Sequence, residues 1–227
     1  MNSPATFQTI MNEILQDLIN TGKVASFIDN IIIEMEEEEG HDELVEVVRR
    51  LAENNLYVKP KKCKWKVKKV GFLGVVIGPE GIKMKEEKVK GVLDWLTPKC
   101  VKDVQKFLGL ANYYCQFIQG FISIARPLHN MVKKDQKWEW TKRQKRVFKD
   151  LKEKFTRKPV LAALDLDRKM RIEVDTLDYA TEEILSMECK DRRWRPVAYL
   201  SKSLNEMERN YEIHDKEMLA VIRGLEN

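Results

Sequence analysis

Apolar residues near the start of the chain recur at Phe7, Ile10, Met11, Ile14, Leu15, Leu18 and Ile19. Spacings of three and four place them on one face of a helix over residues 4–20. Ser3 and Pro4 suit its N-cap and first turn, and Gly22 suits its end. The run Val24-Ala25-Ser26-Phe27-Ile28-Asp29-Asn30-Ile31-Ile32-Ile33 follows, apolar on both sides of a polar step. It predicts two strands joined by a turn at Asp29-Asn30, residue types that tolerate left-handed backbone. A solvated acidic loop is expected over 36–40. Leu44, Val47, Val48 and Leu51 then define a second helix that stops near Asn54-Asn55.

Residues 56–82 read as β-rich, with a strand over 70–77 and a turn at Gly78-Pro79-Glu80-Gly81 that returns through Ile82-Lys83-Met84. From residue 85 to 161 the pattern turns helical, with helices over 87–96, 101–118, 122–132 and 142–155. In the second of these, Val104, Phe107, Leu108, Leu110, Ala111, Tyr114 and Phe117 crowd one side, and Gly109 and Asn112 are small positions. Thr141 suits the N-cap of the last. Strands over 171–175, 184–187 and 196–201 come next, then a helix over 210–225.

With 227 residues and an apolar fraction of 43%, the chain suits packed cores rather than general disorder. The net charge is +5, unevenly placed. Glu34, Glu36, Glu37, Glu38, Glu39, Asp42 and Glu43 form an acidic block. Lys59, Lys61, Lys62, Lys64, Lys66, Lys68 and Lys69 form a basic block without an acid, and a second basic stretch runs over 133–158. Lysines interleaved with Trp and Tyr suit a polyanion partner; a solvated helix face is the plainer alternative for any one block. The four cysteines form no C-x-x-C pair, which argues against structural zinc and suits a reduced intracellular setting, cytoplasmic or nuclear. No run approaches the ~18 apolar residues of a membrane span, and no signal peptide opens the chain. The three histidines are far apart and suit surface or capping roles, and the methionines suit cores.

Three stretches carry a resemblance: Asn2-Ser3-Pro4-Ala5-Thr6-Phe7-Gln8, then Leu56-Tyr57-Val58-Lys59-Pro60-Lys61-Lys62-Cys63, then Val70-Gly71-Phe72-Leu73-Gly74. With the Phe27-Ile28-Asp29-Asn30 hairpin between them, they resemble reverse transcriptases of Gypsy-type long-terminal-repeat retrotransposons and of retroviruses. Phe107-Leu108-Gly109-Leu110-Ala111-Asn112-Tyr113-Tyr114 and Trp138-Glu139-Trp140 resemble the thumb and connection of those enzymes. Arg171-Ile172-Glu173-Val174-Asp175, Pro196-Val197-Ala198-Tyr199 and the helix bearing Glu217 resemble the ribonuclease H domain that follows. The resemblance implies an α+β chain: the rear of a polymerase palm over 1–84, helical thumb and connection over 85–161, and an incomplete ribonuclease H-like α/β domain over 162–227.

By resemblance, Asp29 is a magnesium-binding hairpin carboxylate, and Asp175 and Glu217 are the first two nuclease acids. Gln8 and Phe27 line the nucleotide site. Phe72, Leu73 and Gly74 match the primer grip, where glycine lets backbone approach a sugar-phosphate chain. Gly109 and Asn112 face the groove of the RNA/DNA hybrid, although Gly109 suits close helix packing equally well. Lys61 and Lys62 contact nucleic acid. The chain departs from the family at Asn30, where the family has a second Asp. It departs again at Thr176-Leu177-Asp178-Tyr179-Ala180-Thr181-Glu182-Glu183, where the family has small residues. The strand bearing the first palm Asp and the last two nuclease acids are expected to lie outside the chain. Two-metal phosphoryl transfer needs carboxylates that hold magnesium ions about 4 Å apart. The expectation is a polymerase and ribonuclease H fragment that is inactive by itself. The alternative is a degenerate or domesticated module that binds nucleic acid or a protein, the latter through an uncovered sheet edge.

Overall fold

The structure, a computed structural model, describes residues 3–35, 41–157 and 160–226. The expected acidic loop over 36–40 lies outside them. The chain forms two compact units, Met1–Phe72 and Leu73–Asn227.

The first unit opens with helix α1 (Ser3–Asn20), followed by strands β1 (Val24–Phe27) and β2 (Asn30–Ile33) and helix α2 (His41–Glu53). Its core is Met11, Leu15, Val24, Val47 and Leu51, the inward stripe of each element. Arg50 ties α2 to α1: its guanidinium donates to Asp17 at 2.8 Å and to the Ile14 carbonyl at 3.2 Å, and pairs with Glu46 at 2.6 Å. The Arg50 bond holds the Asp17 carboxyl at about 2, and Arg49 with Arg50 holds Glu46 at about 2. Residues 56–69 form no strand, contrary to the expectation. They contain one 3-10 turn, Pro60–Lys62; Cys63, Trp65 and Val67 alternate with lysines as a strand would, but Lys66 is left-handed (φ 48°) and interrupts the extended run. Strand β3 (Val70–Phe72) closes the unit.

The single strand expected over 70–77 is interrupted, since Leu73 (φ 43°) and Gly74 (φ 82°) are both left-handed and turn the backbone. The second unit starts there, with β4 (Val75–Gly78) paired antiparallel to β5 (Gly81–Met84). Ile82 and Leu161 exchange backbone hydrogen bonds at 2.7 and 2.9 Å, and Met84 is buried in the second unit's core. These contacts put the hairpin with the helices that follow it.

Helices α3 (Glu86–Leu93), α4 (Val101–Tyr113), α5 (Phe121–Met131) and α6 (Lys142–Thr156) surround that core. Phe107 of α4 meets Phe148 of α6 at 4.6 Å between ring centroids and Trp95 edge-on at 5.8 Å. Thr141 caps α6 as expected, accepting the Arg143 N–H at 3.2 Å. Helix α4 ends at Tyr113, short of the expected 118, and a 3-10 turn over Cys115–Phe117 follows. His129 is not a surface residue: burial pulls its pKa down, and it meets Phe121 edge-on at 6.4 Å.

An antiparallel meander of β6 (Met170–Leu177), β7 (Ala180–Glu188) and β8 (Trp194–Ser203) comes next, with a bulge between Leu185 and Ser186. The expected helix over 210–225 is preceded by a short α7 (Glu206–Arg209), capped by the reciprocal bonds of Asn205 and Glu208. It starts only at Ile213, as α8 (Ile213–Glu226), which packs on β6 and β7 through Lys216, Ala220 and Arg223. Met207 and Met218 are exposed, unlike the core methionines Met11, Met84, Met131 and Met187.

Candidate nucleic-acid interface and acidic positions

The β1–β2 turn lies one residue earlier than expected. Phe27 pairs with Asn30, so Ile28 and Asp29 form the turn and Asn30 begins β2. Apolar Ile28 takes the left-handed position (φ 53°) that Asn or Asp would fill more easily. A side chain on α1 accounts for this. Gln8 Oε1 accepts the Ile28 N–H at 2.5 Å, while its amide nitrogen donates to Asn12 Oδ1 at 2.7 Å and the Ser26 carbonyl at 3.3 Å. Gln8 and Asp29, predicted for one site, are thus joined through the turn backbone. Asp29 is exposed, and its Oδ1 accepts the Asn30 Nδ2–H at 3.0 Å. Phe27, also exposed, stands beside the same turn.

In the second unit the Leu73–Gly74 turn is held from α4. Tyr113 Oη donates to the Leu73 carbonyl at 2.6 Å and Tyr114 Oη to the Gly74 carbonyl at 3.2 Å. A Cβ on Gly74 would lie 2.5 Å from Tyr114 Oη, so the close approach that this glycine permits is to a phenol of the same fold. Gly109 has the opposite surroundings. Nothing lies within 4 Å of where its Cβ would be, which removes close helix packing as its reason. Lys102, Gln105, Lys106, Gly109, Asn112 and Tyr113 form one exposed polar stripe along α4, at helical spacing, and the stripe ends at the Leu73 turn. Tyr113 and Tyr114 were missed as anchors because no local pattern links them to a turn far back in the chain.

Lys61 and Lys62 are exposed on the 3-10 turn of the first unit, and Phe72 ends β3. Asp175 is exposed on β6; its Oδ1 accepts the Thr176 N–H at 2.9 Å, and it pairs in register with Glu182. Glu217 is exposed on α8, which packs on β6. Among the residues that replace the expected small ones, Ala180, Thr181 and Glu183 are buried: Thr181 accepts from Arg223 at 3.2 Å, and Arg223 also pairs with Glu208 at 2.8 Å. Glu183 is 3% exposed, and neither of its carboxylate oxygens has a hydrogen-bond partner among the described residues. Burial lifts its pKa, with the charge of Arg223 pulling the other way.

Among the described residues no three His, Cys, Asp or Glu side chains gather closely enough to hold a metal ion. Magnesium demands near-octahedral oxygen coordination. One carboxylate at Asp29 beside an amide does not fit a two-ion site, and neither Asp175 on β6 nor Glu217 on α8 belongs to a cluster of three such ligands among the described residues.

Residues 1–77 match the family of reverse transcriptases (RNA-dependent DNA polymerases), and residues 140–227 match the RNase H-like domain found in reverse transcriptase. The chain combines a reverse transcriptase segment with a ribonuclease H-like segment. It is 34% identical over 226 residues to the Tf2-7 and Tf2-3 transposon polyproteins of Schizosaccharomyces pombe. That alignment covers 99% of this chain and 17% of each polyprotein, so the chain spans a small part of these relatives. The foamy viral protease-reverse transcriptase in complex with RNA/DNA hybrid shares the fold, with a TM-score of 0.78 at 22% identity. It is matched over 99% of this chain and 30% of its own. The foamy viral protease-reverse transcriptase dRH in complex with double-stranded DNA gives a TM-score of 0.76 at 22% identity, over 99% of this chain and 39% of its own. The α+β reading of the reverse transcriptase segment therefore stands. No helix among the described residues is long and apolar enough to cross a membrane.

Proposed function

We propose that the chain is the rear palm, thumb and connection of a Gypsy-type reverse transcriptase, with the start of its ribonuclease H domain, and that it grips an RNA/DNA hybrid. The observation that carries this reading is the α4 stripe docked on the Leu73–Gly74 turn by Tyr113. Lys102 and Lys106 suit phosphates, Gln105 and Asn112 suit sugars and phosphates, and Gly109 leaves room for the strand backbone. Leu73 and Gly74, with Phe72 beside them, steady the primer end. Gln8 and Phe27 border the place of the incoming nucleotide, and Gln8 acts by fixing the Asp29 turn.

Catalysis by this chain alone is not part of the proposal. The family expectation is magnesium at Asp29, Asp175 and Glu217, and the side chains present supply too few carboxylates for two-metal transfer. A non-catalytic module that binds nucleic acid is the second reading, favoured by the Asn30 amide that donates to Asp29. A protein partner on the outer edge of β6, which has no further strand paired to it among the described residues, belongs to the same reading.

The test is affinity for a labelled RNA/DNA hybrid across a salt series. Binding should weaken steeply with salt, and Lys102→Gln with Lys106→Gln should flatten the slope by about 0.9 per lost phosphate contact in duplex. Gly109→Glu should abolish binding without unfolding the chain. No binding at 50 mM salt, or no effect of these variants, overturns the proposal. Template-directed nucleotide addition, or magnesium-dependent RNA cleavage lost in Asp175→Asn, would overturn the expectation of inactivity.

A further inference from the structure

We infer that residues 57–69 form a binding surface for single-stranded nucleic acid, in which bases stack on Tyr57 and Trp65 while the surrounding lysines hold the phosphates. The inference rests on the reading of the chain as a nucleic-acid binder; it names the kind of strand and the residues that select it.

The segment leaves the core of the first unit at Leu56, which packs against it, and apart from half-buried Cys63 stays exposed until Val70. Between them the only regular element is the Pro60–Lys62 turn. A loop of this length without its own structure is uncommon in a compact domain unless it serves a function or stays unfolded. Its aromatic residues face water: Tyr57 is 78% exposed and Trp65 50%, with Val67 at 49%. Lys59, Lys61, Lys62, Lys64, Lys66 and Lys68 have no ion-pair partner among the described residues, although the chain carries abundant acid elsewhere. Lys66 is left-handed (φ 48°), which breaks the run just after Trp65 and prevents it from lying flat as an edge strand.

Lysines alone would suit any polyanion. The aromatics narrow the choice, because a duplex buries its base faces in its own stack and a single strand presents them. Every base has a π-face, so a platform of Tyr and Trp beside a basic track binds single strands with little regard to sequence. A duplex bound on this loop would leave both rings unused. A run of acidic side chains would use the lysines and offers no aromatic ring to stack on Tyr57 and Trp65.

The experiment measures binding of the full chain to a fluorescein-labelled single-stranded uridine 20-mer and to an RNA/DNA hybrid of equal length. Tyr57→Ala with Trp65→Ala should weaken single-strand binding at least about tenfold and leave hybrid binding within about twofold. Tyr57→Phe with Trp65→Phe should restore most of it. Lys61→Gln with Lys62→Gln should reduce the single-strand salt slope by about 1.4, or about 0.7 per phosphate contact. Tyr57, Trp65, Lys61 and Lys62 are exposed, so melting temperatures should stay unchanged. Equal loss on both ligands, no loss on the single strand, or full competition by polyglutamate at the same charge and salt would overturn the inference. Hybrid binding retained without single-strand binding sinks this inference alone. Gly109→Glu losing the hybrid and keeping the single strand would leave the two readings independently supported, and no binding to either ligand refutes both.

Discussion

Gln8 Oε1 accepts the Ile28 N–H at 2.5 Å, and this bond fastens helix α1 to the left-handed residue of the β1–β2 turn. A β-branched residue at φ 53° is strained by about 1–2 kcal/mol. The turn keeps that geometry because the amide that meets it is itself held by Asn12 and Ser26. Asp29 is presented to solvent by a turn whose shape is set from a helix outside the hairpin.

Gln8→Ala should therefore destabilise the first unit by about 1–3 kcal/mol, the cost of an unpartnered backbone donor. Urea unfolding should report the loss, and amide exchange should show the Ile28 N–H losing protection before the core of α1. Unchanged exchange at Ile28 would mean that the turn holds itself.

Gly74→Ala and Gly109→Ala should differ in sign. The first places a Cβ 2.5 Å from Tyr114 Oη at φ 82° and should cost about 2 kcal/mol or more, part of which Tyr114→Phe restores by removing the oxygen. The second adds a methyl group to open space on a helix and should stabilise by about 0.5–1 kcal/mol. Thermal unfolding of the single and double variants checks both. Equal destabilisation at 74 and 109 would contradict the surroundings described for Gly109.

Asn30→Asp removes the amide donor from Asp29 and sets two carboxylates side by side. In low-salt buffer at pH 7 without metal, the variant should melt below the parent through like-charge repulsion. Millimolar magnesium should restore it and leave the parent unmoved. A parent that responds to magnesium as strongly as the variant would show that Asn30 does not weaken the site.

Glu183 gives a pH dependence whose sign follows from its burial. Its folded pKa is raised, so the folded chain keeps a proton that the unfolded chain releases above about 4.5. The associated stability is full below that value and is lost as pH rises through the raised one. Glu183→Gln imitates the protonated acid. The two chains should be about equally stable at pH 4, and the variant should gain on the parent up to pH 8. Urea titrations at each pH test this, and a constant difference would mean that Arg223 neutralises the carboxylate in the fold.

The α1–α2 clamp titrates in the opposite sense. Asp17 and Glu46 are held at about 2, below their ordinary values of 3.8 and 4.5. Their contribution is present above those ordinary values and is lost as pH falls toward 2. Arg50→Ala should lower the stability of the first unit at pH 7 and flatten its acid loss, so that variant and parent converge near pH 2. Far-ultraviolet circular dichroism across an acid titration measures it; a parallel offset at every pH would assign the effect of Arg50 to packing instead.

Elements whose signal is local were legible along the chain. The stripe of Met11 and Leu15 made α1, the crowding of Phe107, Leu108 and Ala111 gave α4 its buried side, and Thr141 capped α6. Burial follows periodicity, and capping needs only neighbours in the chain. The order of motifs also gave the family, since collinear residues survive without any knowledge of their contacts. Tertiary structure decided the rest. It moved the hairpin turn onto Ile28, because a Gln8 hydrogen bond outweighed the local preference for Asn at a left-handed position. It broke the strand at Leu73 and Gly74 and gave their carbonyls to Tyr113 and Tyr114. It opened Gly109 to solvent and buried Glu183 under α8. Each of these depends on groups far apart in sequence, and no spacing rule encodes which polar atom a fold will bring to a given backbone N–H or carbonyl.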